Sequence, residues 1–306
     1  MFFLIKWGKT LRFALVGFCF MVMGGCDNRE TVTEDRPEIF CSIAPIGAYA
    51  STICGDLVDV KVVVPPGRSV HEFSPTPAEV RALQKARLYL VTGLPIERNL
   101  VAALMNTQVK VIDIAANITK LPISETGSHA CSSPTGKNGL AEDDMLDQHI
   151  WLSPALSIEI VEEMTRALIV EFPEAEEQFL KRSTALKEEL ARIQTTLEQE
   201  LAPYKGKSFL SYHPAFGYFA HDFGLHQVAV EHDGKAPTPR QLAELTDWVQ
   251  REKIHILFSQ EETNQELVDT VAKTLDCRVI ELDVLSERPI DFFWNFGKAL
   301  QEGNAL

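Results

Sequence analysis

The chain has 306 residues, 45% of them hydrophobic and 24% charged, which is ordinary globular composition with length for roughly two domains. Its formal net charge of −14, with no clustered Lys or Arg run, would repel a phosphate backbone, so nucleic acid is not an expected partner.

Lys6, Lys9 and Arg12 form a basic lead, and Phe13 to Met23 is uncharged. That run is too short for a bilayer span, which takes roughly 20 apolar residues, but it fits a secretory h-region. Gly24-Gly25-Cys26 resembles a bacterial lipobox, with Met23 where leucine is commoner. Residues 1–25 are therefore expected to be a signal peptide, Cys26 the lipidated mature terminus, and the polar stretch 26–37 a tether. This reading puts the protein at the outer face of the cytoplasmic membrane, periplasmic in a Gram-negative host. There, Asp27 would resemble an inner-membrane retention signal. Export permits disulfides, and Cys41, Cys54, Cys131 and Cys277 leave three pairings open. Cys41 and Cys277 lie in apolar, strand-like runs and read as buried free thiols.

An internal repeat organises the mature chain. Pro45, Tyr49 and Gly55 recur at the spacing of Pro214, Tyr218 and Gly224. Each set follows an apolar run (IFCSI, FLSY) and leads past its glycine into β-rich residues (DVKVVV, HQVAV). The pattern is strand, helix, glycine stop, strand. SPTPAEV (74–80) then matches APTPRQL (236–242) in the same order. In both, threonine caps a helix that starts with proline, and Glu79 or Gln241 completes a capping box. The strands LYLVTG (88–93) and IHILFS (254–259) follow. The expected fold is α/β, with two pseudo-symmetric lobes. Each is a mostly parallel sheet flanked by helices, and a long rigid helix joins them. The expected boundaries are 38–153 for the first lobe, 154–172 for the linking helix and 173–306 for the second lobe. Ser153-Pro154 opens the linking helix, and Leu156, Ile160, Val161, Met164 and Leu168 give it an apolar face. Residues 124–147, rich in Gly, Ser, Asp and Glu, read as an exposed loop.

Three histidines stand where strands give way to loops. His71 follows VKVVV and the turn Pro65-Pro66-Gly67, His149 precedes IWLSP, and His213 ends FLSY. Asp283 follows the buried-strand pattern CRVIEL. In α/β sheets, ligand sites gather beyond the carboxyl ends of strands, and two facing lobes bring such ends to one cleft. No local zinc motif has this spacing, so the residues alone leave a hydrogen-bonded surface role open for each. His221, His226 and His255 read as helix, strand-start and strand residues. His232 occupies roughly the loop position that His71 holds in the first copy, and reads as a rim residue with Glu72.

PPGRSVHEFSPTPAEV, DQHIWLSP and YHPAFGYFAHDFGL, in this order, resemble the cluster A-I solute-binding proteins of zinc and manganese ABC transporters. The likeness runs from about Ile39 to the C-terminus. It implies that His71, His149 and His213 bind metal in an interlobe cleft and that Asp283 supplies the fourth ligand. In VIELDVL, Val284 stands where zinc-binding relatives often carry proline. The resemblance also implies a monomeric receptor that hands its ion to an ABC permease and is held to the membrane by its lipid. Manganese-type relatives carry glutamate where His213 stands. Three imidazoles and one carboxylate suit Zn2+, with Mn2+ the less favoured ion. A closed coordination shell leaves no open position for catalysis, and no HExxH occurs, so no enzymatic activity is expected. The rival readings are a manganese or iron receptor of the same family and, from other classes, a zinc-dependent hydrolase and a metal-binding surface adhesin.

Overall fold

The computed structural model describes residues 36–65, 67–123, 146–231 and 235–302. The expected signal peptide (1–25), Cys26, Cys131, His129 and His232 therefore lie outside the described residues.

The first sheet consists of β1 (Glu38–Cys41), β2 (Asp59–Val62), β3 (Leu88–Val91) and β4 (Lys110–Asp113), in the order β2-β1-β3-β4. Its helices are α1 (Ala44–Cys54), α2 (Pro77–Leu83) and α3 (Pro95–Leu104). The second sheet consists of β5 (Ser208–Ser211), β6 (His226–Ala229), β7 (Ile256–Gln260) and β8 (Arg278–Leu282), in the order β6-β5-β7-β8. Around it lie α6 (Gly217–Phe223), α7 (Pro239–Glu252), α8 (Gln265–Leu275) and α9 (Pro289–Gln301). Every strand pair is parallel, and the two orders are the same path through the sheet. The repeat read in the sequence is thus a repeat of whole lobes.

Its local signals work as their chemistry requires. Thr76 Oγ1 accepts the Glu79 N–H, and Thr238 Oγ1 accepts the Gln241 N–H, each at 3.3 Å. Both caps are completed by the reciprocal side chain, and both helices start with proline. Gly55 and Gly224 end α1 and α6 at φ values of 54° and 68°, a region a Cβ disfavours.

Between the lobes run α4 (Pro154–Glu171) and α5 (Glu176–Leu201), separated by the turn Pro173–Ala175. The expected linking helix exists as α4, but Pro173 stops it and α5 folds back along it. The helix that touches elements of both lobes is α5, which packs on α1 at one side and on α6 and α9 at the other. Phe179, Ser183, Leu186, Leu190, Ile193, Leu197 and Leu201 form its buried stripe, three or four residues apart. The connection is therefore carried by 176–201, because its apolar face is long enough to serve two sheets.

One apolar core runs from the first sheet through this helical pair to Phe209 and Phe258 of the second. On the other face of the second sheet, Leu210, Val228 and Leu257 join α7 and α8 in a separate cluster. Neighbouring residues of one strand thus serve opposite faces, the period of two that strands impose. Cys41 and Cys54 are buried free thiols, and Cys277 is a half-buried free thiol.

Candidate metal centre

The three histidines come from three separate pieces of chain. His71 lies in the turn after β2, where Ser69 Oγ accepts its backbone N–H at 3.3 Å. His149 immediately precedes the single turn Ile150–Leu152, and Ser153 then caps α4 by accepting the Leu156 N–H at 3.0 Å. His213 follows β5, with its carbonyl accepting the Ala215 N–H at 2.9 Å. All three stand in turns that follow strands or just before the start of α4. The repeat had placed His71 and His213 near comparable strand ends. In the fold they follow non-equivalent strands, since β2 corresponds to β6 and β5 to β1.

Their rings nevertheless converge. Centroids are 5.9 Å apart for His71 and His149, 5.2 Å for His71 and His213, and 5.3 Å for His149 and His213. One nitrogen from each lies within 4.8 Å of the others. Tetrahedral zinc with Zn–N near 2.0–2.1 Å needs nitrogens about 3.4 Å apart, so the three require only a small inward movement.

Two of the rings are aimed by carboxylates. Asp147 Oδ1 accepts the Nδ1–H of His149 at 2.8 Å and its backbone N–H at 2.9 Å. Glu231 Oε2 accepts the Nδ1–H of His213 at 2.9 Å. A carboxylate accepts, so each pairing fixes the proton on Nδ1 and leaves the Nε2 lone pair free for a cation. His213 Nε2 is buried and has no hydrogen-bond partner, as does Asp147 Oδ2. An orphaned buried imidazole nitrogen costs free energy unless something binds it, and a Lewis-acidic cation is a chemically suitable partner for its lone pair. His71 is the most exposed of the three. Desolvation, followed by the neighbouring His149 and His213 imidazoles, still lowers its pKa, which keeps it a neutral donor.

The lobes are tied together beside the centre. Tyr218 of α6 donates to the Asp147 carbonyl at 2.9 Å and accepts the Leu121 N–H at 2.9 Å. Trp151 Nε1 donates to the Val284 carbonyl at 2.8 Å, with its ring centroid 5.3 Å from that of His149.

Asp283 follows β8, is half-buried and is not part of the three-histidine group. Its Oδ1 accepts the Leu285 N–H at 3.1 Å. Glu72 is exposed beside His71 and also stands outside the group. A small cavity beside His71 and His149 is lined instead by Glu262, with Trp151 and Val284. Glu262 lies in the turn after β7; burial, and then Asp283 and Glu261, push its pKa up to about 7.

Sequence reasoning did not single out Asp147, Glu231 or Glu262. Asp147 was within view, two residues before His149 in DQHIW. Removing its carboxylate by Asp147→Ala should lower zinc affinity about 10- to 100-fold in a chelator-competition titration, the usual effect of losing a ligand's orienting partner. Unchanged affinity would refute the orienting role.

A family model described as "Zinc-uptake complex component A periplasmic" matches residues 39–296. A zinc-binding lipoprotein, AdcA, from Streptococcus pneumoniae is 28% identical over 285 residues. The match covers 91% of this chain and 55% of that protein, so the chain spans about half the length of this relative. A crystal structure of ZnuA superposes with a TM-score of 0.78 at 28% identity, covering 88% of this chain and all of that one. The Zn(II)-bound ZnuA-like domain of Streptococcus pneumoniae AdcA superposes with a TM-score of 0.71 at 26% identity, covering 89% of this chain and 100% of that one.

Proposed function

The chain belongs to the family of the periplasmic zinc-uptake component A, and from that premise we propose that it is a receptor that captures Zn2+ between its lobes and delivers it to an ABC permease for import. The observation that carries this reading is the convergence of three imidazoles, with His213 Nε2 buried and unpartnered among them. Three neutral nitrogen donors favour zinc over manganese, which prefers oxygen. His71, His149 and His213 hold the ion, and the carboxylate of Asp283 closes the shell once the loop after β8 turns inward. A filled shell leaves no position for an activated water, so the protein acts as a carrier rather than as an enzyme. Cys26 carries the lipid that keeps the receptor at the outer face of the cytoplasmic membrane, as a monomer within reach of its permease.

The test is metal analysis of protein purified without added metal, followed by competition between zinc and manganese. One zinc per chain, undisplaced by excess manganese, is the expected result. Zinc should also raise the melting temperature in proportion to the logarithm of its free concentration, because only the folded chain assembles the site. Manganese displacing zinc, or no zinc-dependent shift, would contradict the reading.

A further inference from the structure

Two of the three histidines have a carboxylate on Nδ1, and the third does not. Asp147 serves His149 and Glu231 serves His213. Among the described residues, the ring of His71 makes no hydrogen bond; its only side-chain partner, Ser69 Oγ, is used by its backbone N–H. When zinc takes one ring nitrogen, the other must carry a proton, and that N–H needs an acceptor.

The carboxylates nearby differ in their availability. Glu72 is exposed. Asp283 already accepts the Leu285 N–H. Glu262 lines the same small cavity as His71, and its Oε2 is buried with no hydrogen-bond partner. His71 belongs to the first lobe, after β2, and Glu262 to the second, after β7. A bond between them would therefore cross the interlobe gap.

Resting on the zinc-receptor reading, we propose that Glu262 is the third positioning carboxylate, accepting the Nδ1–H of His71 across the lobes in the zinc-loaded protein. This pairing gives the buried Glu262 Oε2 a partner and supplies the acceptor that the His71 ring N–H needs once zinc is bound. It also links zinc capture to closure, because the acceptor for a first-lobe ligand sits on the second lobe. The imidazole N–H polarised by the bound dication is a stronger donor than the free ring, so the clasp tightens when zinc is present and relaxes when it leaves.

Glu262→Ala and Glu262→Gln separate the possible roles. Glutamine keeps an acceptor oxygen but is a poor zinc ligand. Glu262→Ala should weaken zinc binding about 10-fold and speed its loss to a chelator, whereas Glu262→Gln should stay within about threefold of the parent. In histidine-labelled, zinc-loaded protein, an exchange-protected Nδ1–H signal from His71 should be present in the parent and in Glu262→Gln. It should be lost in Glu262→Ala, with the His149 and His213 signals unchanged. Equal loss of affinity in both variants would put Glu262 on the metal and overturn the positioning role. Parent-like binding and an intact His71 signal in Glu262→Ala would overturn it as well, leaving the receptor reading intact. A parent chain that takes no zinc at its histidines would overturn both.

Discussion

Replacing His213 with alanine should lower zinc affinity by roughly two to three powers of ten, taking a four-ligand site worth about 10–16 kcal/mol and removing about a quarter of it. The loss has more than one source. Of the three histidines, His213 is the one whose Nε2 is buried with no hydrogen-bond partner, so its lone pair meets no competition from a hydrogen bond. Glu231 is then left without its Nδ1–H partner, so a carboxylate loses its hydrogen bond along with the imidazole. His255→Ala provides the control. His255 is exposed just before β7 and outside the three-histidine group, so zinc affinity should stay at the parent value. Competition titration of both variants checks the contrast, and equal affinities would remove His213 from the site. Glutamate at position 213 is also instructive. It replaces a nitrogen donor with oxygen and should narrow the preference for zinc over manganese.

The largest expected loss of stability lies in the second lobe. Phe296 on α9 is fully buried. Its ring centroid is 4.6 Å from that of Phe219, 4.7 Å from Phe216, 5.2 Å from Phe258, 5.7 Å from Phe209 and 5.8 Å from Phe292. The ring joins β5, β7, α6 and α9, so its removal opens a cavity that no single element can collapse into. Phe296→Ala should cost about 3–5 kcal/mol, which for a chain of this size lowers the melting temperature by roughly 5–8 °C. Phe296→Leu should cost visibly less, because it keeps most of the volume. Zinc should still raise the melting temperature of Phe296→Ala, since no ligand or orienting carboxylate is touched. A shift of less than about 3 °C for Phe296→Ala would show that the cluster repacks around the gap.

Much of this architecture was legible in the sequence because it is written in local signals. Thr76-Pro77 and Thr238-Pro239 start helices, Gly55 and Gly224 stop them, and LYLV and ILFS read as buried strands. Two copies of those signals give two lobes. The bridging role of α5 was harder to see. Its stripe from Phe179 to Leu201 resembles any amphipathic helix, and only the assembled lobes reveal that both sheets need it.

The centre was legible unevenly. His71, His149 and His213 were marked by their places near strand ends and by the motifs around them, and the fold brings them together. Glu231 depends on strand register. Ser211 lies beside Ala229 in the β5–β6 pairing, and continuing that register by two residues puts His213 beside Glu231. The Glu231 N–H bonds the Tyr212 carbonyl at 2.8 Å, which extends the pairing past the strand ends. No local motif encodes such a partner. Glu262 depends on the approach of two lobes, which is more distant still from any sequence pattern. Asp283 was read from a family motif, and the fold uses its Oδ1 to hold its own turn.

The most direct measurement is zinc X-ray absorption on the loaded protein. The expected result is a four-coordinate ion with three imidazole nitrogens and one carboxylate oxygen at about 2.0–2.1 Å. A sulfur ligand near 2.3 Å, or a shell of oxygens with fewer than two imidazoles, would contradict it.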